Sequence, residues 1–171
     1  RDSSGGGGRI GPGDVQWMTA AGGLVHEEFH SHAFTAKGGL MEMAQLWVNL
    51  PAKDKLAAPR YQTVLDKDIP VVGLPGEAGH VRVIAGNFAG QAGPAQTFTP
   101  INVWDLRLKA AHTASPAIPE GHNAVLVVLD GTVQVNGSDD VPASRYLVFE
   151  RTGGGMTVTA QAEDVKCLLL T

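Results

Sequence analysis

Several function classes lack their raw material in this chain. One cysteine, Cys167, stands among 171 residues, so no internal disulfide framework forms, and the count fits a reducing compartment. Aromatic residues make up only 6%, and the 13 Lys and Arg gather into no basic cluster, so a nucleic-acid groove has no electrostatic footprint. No run of about 18 apolar residues is present to span a membrane, and no secretory signal pattern opens the chain, which begins with Arg. There is no Gly-x-Ser-x-Gly elbow for an α/β-hydrolase nucleophile. The glycines Gly5 to Gly8 lack the Gly-Lys-Ser/Thr ending of a phosphate loop and read instead as a turn tip. The expectation is a soluble, cytoplasmic, acidic protein of net charge −4 with neither nucleic acid nor membrane as partner.

What is present is apolar content and turn residues. A 43% apolar fraction supports a core, while 22 Gly and 10 Pro favour many turns over long helices. Period-two patterning dominates. In Asn102–Lys109, Trp104, Leu106 and Leu108 share one face, and Asp105, Arg107 and Lys109 the other, as in a half-buried strand. Ala124–Gly137 reads as a hairpin turning at Asp130-Gly131, with Asn136-Gly137 a second turn signal. Further strands are expected at 15–19, 24–28, 145–150, 156–160 and 165–170, with turns at Gly11–Asp14 and Gly153–Gly155. Leu40–Leu50 is apolar on both faces and reads as a strand buried on both sides by Trp47-Val48, with a helix open as an alternative over Gly39–Gln45. Residues 51–75 read as solvated connector and 86–100 as a loose stretch. Eight to ten short strands argue for sandwiches or barrels, divided here into modules 1–95 and 96–171.

Six histidines hold most of the chemical potential. In Val25-His26-Glu27-Glu28-Phe29-His30-Ser31-His32, an extended backbone puts His26, Glu28, His30 and His32 on one face. Imidazole with carboxylate suits iron, nickel, copper or zinc. Residues two apart in a strand lie roughly 6–7 Å from each other, whereas His26 and His32 are about 20 Å apart, so one ion takes an adjacent pair and its other ligands come from other strands. Spacing alone leaves two readings open, a solvated strand face or half of a metal site. His112 and His122 read as loop histidines, solvated or bonded in turns, and Cys167 as a core thiol.

Gly8-Arg9-Ile10-Gly11-Pro12-Gly13-Asp14-Val15-Gln16-Trp17-Met18-Thr19-Ala20, followed by Gly23-Leu24-Val25-His26-Glu27-Glu28, resembles the signature of the pirin family. Gln45–Pro51 and Pro116–Gly121 resemble later blocks of the same family, and the likeness runs along nearly the whole chain. The resemblance implies an all-β fold of two antiparallel, jelly-roll-like cupin barrels, the N-terminal one incomplete here. It implies Fe(II) or another divalent transition metal in the N-terminal barrel alone, held by three His and one Glu. His26 and Glu28 match the family's His-x-Glu ligand pair; the His-x-His pair is expected upstream of Arg1. His30 and His32 lie outside the family pattern. The implied activity is a quercetin 2,3-dioxygenase type of reaction on a flavonol with O₂, Glu28 serving as ligand and as acceptor of the flavonol hydroxyl proton. Family members also include regulators that bind a protein partner, and a metal-free scaffold is the third reading.

Overall fold

Strand pairing, rather than turn chemistry, decides where each segment goes. The computed structural model describes residues 1–153 and 155–171, so the turn expected at Gly153–Gly155 falls partly outside the described residues. The chain divides into two compact units, Arg1–Thr63 and Val64–Thr171.

The second unit is built from two antiparallel sheets. The larger contains β3 (Val71–Gly73), β4 (Gly79–Ala85), β7 (Val103–Leu108), β9 (Ala124–Asp130), β12 (Arg145–Phe149) and β14 (Val165–Leu170), in the order β12-β9-β14-β7-β4-β3. The smaller contains β8 (Thr113–Ala114), β10 (Thr132–Val135), β11 (Val141–Pro142) and β13 (Val158–Ala160), in the order β11-β10-β13-β8. Two-residue strands β5 (Asn87–Phe88) and β6 (Gln91–Ala92) make a small hairpin within the stretch expected to be loose. Alternation sends Val81, Val83, Leu106, Leu126, Val128, Cys167 and Leu169 of the larger sheet onto Val133, Val135 and Val158 of the smaller, giving one aliphatic core. Because β4 pairs with β7 along its length, residues 79–85 share a sheet with 103–108, across the division expected after residue 95.

The turn at Asp130-Gly131 does something other than close a hairpin. β9 pairs with β12 and β14, whereas β10 pairs with β11 and β13, so this turn hands the chain from one sheet to the other. Gly131 has φ +76°, and a Cβ there would come within 2.7 Å of the Asp164 carbonyl oxygen, so only glycine makes the corner. Asn136 and Gly137, with φ of 52° and 72°, open the loop that joins β10 to its true partner β11.

The first unit holds the strand pair β1 (Val15–Thr19) and β2 (Arg60–Val64), and one helix, α1 (His32–Lys37), whose N-cap Ser31 accepts a hydrogen bond from the Phe34 amide at 3.1 Å. The double-sided strand expected at Leu40–Leu50 is absent: residues 38–50 carry neither helix nor strand, and Leu40 and Trp47 are each 92% exposed. An apolar run becomes a buried strand only where ladder partners and covering layers exist, and the two-stranded sheet supplies neither. Residues 51–75, expected as connector, instead carry β2, β3 and 3₁₀ turns at Ala52–Asp54 and Asp66–Asp68.

On the outer face of β7, Asp105 was expected to be solvated and is 4% exposed. Its carboxylate accepts hydrogen bonds from Arg82 Nη1 at 2.7 Å and from Arg107 Nε and Nη2 at 3.0 and 2.9 Å, and Arg82 also pairs with Asp66. Burial pushes the Asp105 carboxyl up, but the bonds and charges of Arg107 and Arg82 outweigh it and hold the group below its ordinary value. A depressed carboxyl stabilises the fold above its unfolded value, and that stabilisation is lost as pH falls through the folded value. Stability should therefore decline on acidification below about pH 4, and Asp105→Asn should flatten that limb. At neutral pH the same variant should cost about 3–5 kcal/mol, because two guanidinium groups lose their buried counter-charge; urea titrations at several pH values check both. Burial first, and the Asp105 charge second, push the Cys167 thiol up to about 12. A thiol reagent at pH 8 should leave Cys167 unmodified in the native chain and label it fully in urea.

Candidate metal centre

Residues 1–3 run antiparallel to residues 25–27. The Ser3 amide donates to the Val25 carbonyl at 2.8 Å, and the Glu27 amide donates to the Arg1 carbonyl at 3.0 Å, setting Asp2 directly opposite His26 in a β-bridge. His26 and Glu28 are both exposed. Among the described residues, no hydrogen bond or ion pair engages either side chain, leaving an imidazole and a carboxylate two residues apart with their donor atoms unspent.

The extended face expected for His26, Glu28, His30 and His32 ends early. His32 begins α1, and the His30 ring meets Phe34 edge-on at 5.5 Å. Glu28, His30 and His32 line one shallow depression with Arg1, Glu27, Phe29 and Thr35, and His26 lies off it. Among the described residues, no group of three or more His, Cys, Asp or Glu is close enough to hold a metal ion. In the second unit, His112 Nδ1 lies 2.8 Å from the Ala110 carbonyl oxygen within its own turn, whereas His122 Nδ1 lies 3.3 Å from Oγ1 of the distant Thr171.

Asp2 is the residue that sequence reasoning passed over. Its Oδ1 accepts from the Ser4 amide at 2.9 Å, the Ser4 hydroxyl at 2.7 Å and the Gly6 amide at 2.8 Å, an Asx turn that closes the segment. Those bonds, the Ser4 hydroxyl foremost, hold its carboxyl below the ordinary value. Its Oδ2 is shut off from solvent and has no partner. The signal was an Asp two residues before Ser4 and four before a glycine, which announces the turn but not the residue across the ladder.

The Pirin family model matches residues 1–48 and the Pirin C-terminal cupin domain model matches residues 103–171. A Pseudomonas aeruginosa protein named "putative quercetin 2,3-dioxygenase" is 52% identical over 169 residues, covering 99% of this chain and 58% of its own length. A Thermoplasma acidophilum protein of the same description is 30% identical over 179 residues, covering 95% of this chain and 67% of its own length. A crystal structure of quercetin 2,3-dioxygenase from Acinetobacter baumannii matches with a TM-score of 0.94 at 47% identity, over 99% of this chain and 59% of that one. The fold is accordingly all-β and cupin-like, with sheets that do not close into barrels. The chain belongs to the pirin family.

Relatives of this kind point to a metal cofactor without fixing which metal. The donors on this chain suit one in kind: an unbonded imidazole, an unbonded carboxylate two residues on, and an orphaned carboxylate oxygen across the ladder from the imidazole. In number, the unbonded His26 and Glu28 fall short of the three-residue groups that could hold a metal ion, none of which occurs among the described residues. Among the described residues no helix is long and apolar enough to cross a membrane.

Proposed function

We propose that this chain carries half of the metal site of a pirin-type dioxygenase acting on a flavonol with O₂, His26 and Glu28 being the two ligands it contributes. The observation that carries this reading is the His26-x-Glu28 pair, exposed and without internal partners, inside the segment that matches the Pirin model. Iron(II) or another divalent transition metal, when bound, supplies Lewis-acid polarisation of the substrate oxygens and brings substrate and O₂ together. His26 serves as a neutral imidazole donor. Glu28 offers a carboxylate that both ligates and accepts the proton of the flavonol 3-hydroxyl, which leaves the substrate as the more electron-rich flavonolate. Phe29, 78% exposed next to this pair, offers an apolar face to an aromatic substrate. The remaining ligands are assigned to a His-x-His pair in sequence upstream of Arg1, and the compartment is assigned to the cytoplasm.

A second reading, a regulatory module that captures a protein partner in a metal-dependent way, draws on a different observation. Leu40, Met43, Trp47 and Leu56 of the first unit are 92%, 60%, 92% and 89% exposed, large apolar side chains of the kind that a protein partner would cover. Flavonol turnover separates the two readings.

Elemental analysis after Fe(II) loading and desalting, on this chain beside a version extended upstream, is the first test. The extended chain should retain near-stoichiometric metal, consume O₂ with quercetin, and lose metal affinity by more than about ten-fold on His26→Ala or Glu28→Gln. His30→Gln with His32→Gln should leave metal retention unchanged. Equal retention by the short chain, abolished by that double variant, would move the site to the depression around His30. Metal retention without flavonol turnover would favour the regulatory module.

A further inference from the structure

We propose that Asp2 is the positioning residue for His26: Asp2 Oδ2, which has no partner in this structure, is the acceptor to which the exposed His26 ring turns its N–H, and this fixes which ring nitrogen is presented outward. The consequence for a metal rests on the reading of His26 as a ligand, whereas the Asp2–His26 pair stands on backbone geometry alone.

The bridge sets the distance. The two flanking bonds, Ser3 amide to Val25 carbonyl and Glu27 amide to Arg1 carbonyl, place Asp2 and His26 at the non-hydrogen-bonded position of the antiparallel ladder. Residues opposite each other there have Cα atoms about 4.5 Å apart and project their side chains from the same face, the closest approach the ladder offers. An Asp carboxylate and an imidazole ring are both long enough to meet across that gap.

The two carboxylate oxygens of Asp2 have separate employments. Oδ1 already takes three hydrogen bonds from Ser4 and Gly6, which pins the carboxyl plane. Oδ2 is hidden from solvent and takes none. Gly6 closes one side of it, since a Cβ on Gly6 would come within 2.5 Å of Oδ2. A carboxylate oxygen cut off from water demands a donor, and the side chain that the bridge sets opposite carries an imidazole N–H. A neutral imidazole has one donor and one acceptor nitrogen; once the N–H is held by Asp2, the other nitrogen is left unprotonated and aimed away from the ladder, as a metal ligand must be. The turn around Asp2 and the orientation of His26 thus become one device.

The test is nitrogen-15 NMR of the histidine rings in the whole chain, wild type beside Asp2→Asn. Asparagine keeps an oxygen for Ser4 and Gly6 but replaces Oδ2 with an amide that cannot accept. In the wild type, His26 should show a single neutral tautomer, while Asp2→Asn should return it to the averaged tautomers shown by an unrestrained exposed histidine, with the Ser4 and Gly6 amide signals unmoved. If those two amides move, Gly6→Ala, which crowds Oδ2 and keeps the Asp2 charge, should release His26 in the same way. A His26 ring averaging between tautomers in the wild type, or unchanged in both variants, overturns the proposal.

Zinc(II) titration followed on the same signals then separates the pair from the ligand reading. Binding at His26 should weaken about 10–100-fold in Asp2→Asn. A locked tautomer with no zinc response at His26 would uphold the pair and sink the ligand assignment. An equal zinc response in both proteins, with no tautomer change, would do the reverse.

Discussion

Antiparallel pairing with strict two-residue alternation is the constraint on which both units depend. It sorts β7 into Trp104, Leu106 and Leu108 on the core side and Asp105 and Arg107 on the other, and the pairing of β7 with β4 and β14 lines up the same alternation across three strands. Arg82 stands opposite Asp105 on β4, and Arg107 follows two residues along β7, so the register itself assembles the buried charge cluster. A one-residue slip would bring Asp105 into the aliphatic core and send Leu106 to the outer face. Cys167, opposite Leu106, belongs to the same register, which is why a thiol in the centre of the sheet has packing rather than reactivity as its role.

The same rule operates on a much smaller scale at the candidate metal centre. Two backbone hydrogen bonds are enough to hold Asp2 opposite His26, and no larger sheet is required to define which side chains face each other. Beyond Glu27 the ladder ends, and α1 begins at His32, so alternation ceases to relate His30 and His32 to His26. Sequence spacing placed four candidates on one face; in the structure His26 sits in the bridge, His32 opens the helix, and Glu28 and His30 lie in the segment between them.

What could be read from sequence follows from how local each signal is. Strands β7, β9 and β14 were legible because one face of each is buried and the apolar period shows it. Asp130-Gly131 was legible as a turn but not as a change of sheet, since turn chemistry specifies a local backbone and says nothing about which strands pair beyond it. Leu40–Leu50 misled because apolar residues on both faces report what a segment would need around it, not whether those layers are there. Asp105 misled for the opposite reason: charged residues on an alternating face imply water, unless partners two residues along and one strand over neutralise each other. His26 and Glu28 were singled out by a motif. Asp2 was not, because its significance lies in a residue 24 positions away that only the ladder brings opposite.

Alternation also argues which unit holds the chemistry. In the second unit the residues facing the interior between the sheets include Val81, Val83, Leu106, Leu126, Val128, Val133 and Val158, with Met156 and Cys167 as sulfur-bearing members, and burial holds Cys167 in its thiol form. A divalent ion needs deprotonated or neutral lone-pair donors, and an aliphatic interior offers it nothing to replace its water shell. Placing donors there would require interior positions to be polar, at the cost of the core that binds the two sheets together. The first unit has the opposite economy: few buried side chains, and an imidazole and a carboxylate free of internal bonds. The aliphatic side chains that bind the two sheets together and the unbonded His26 and Glu28 therefore stand in different units, and the division follows from where alternation places each kind of side chain.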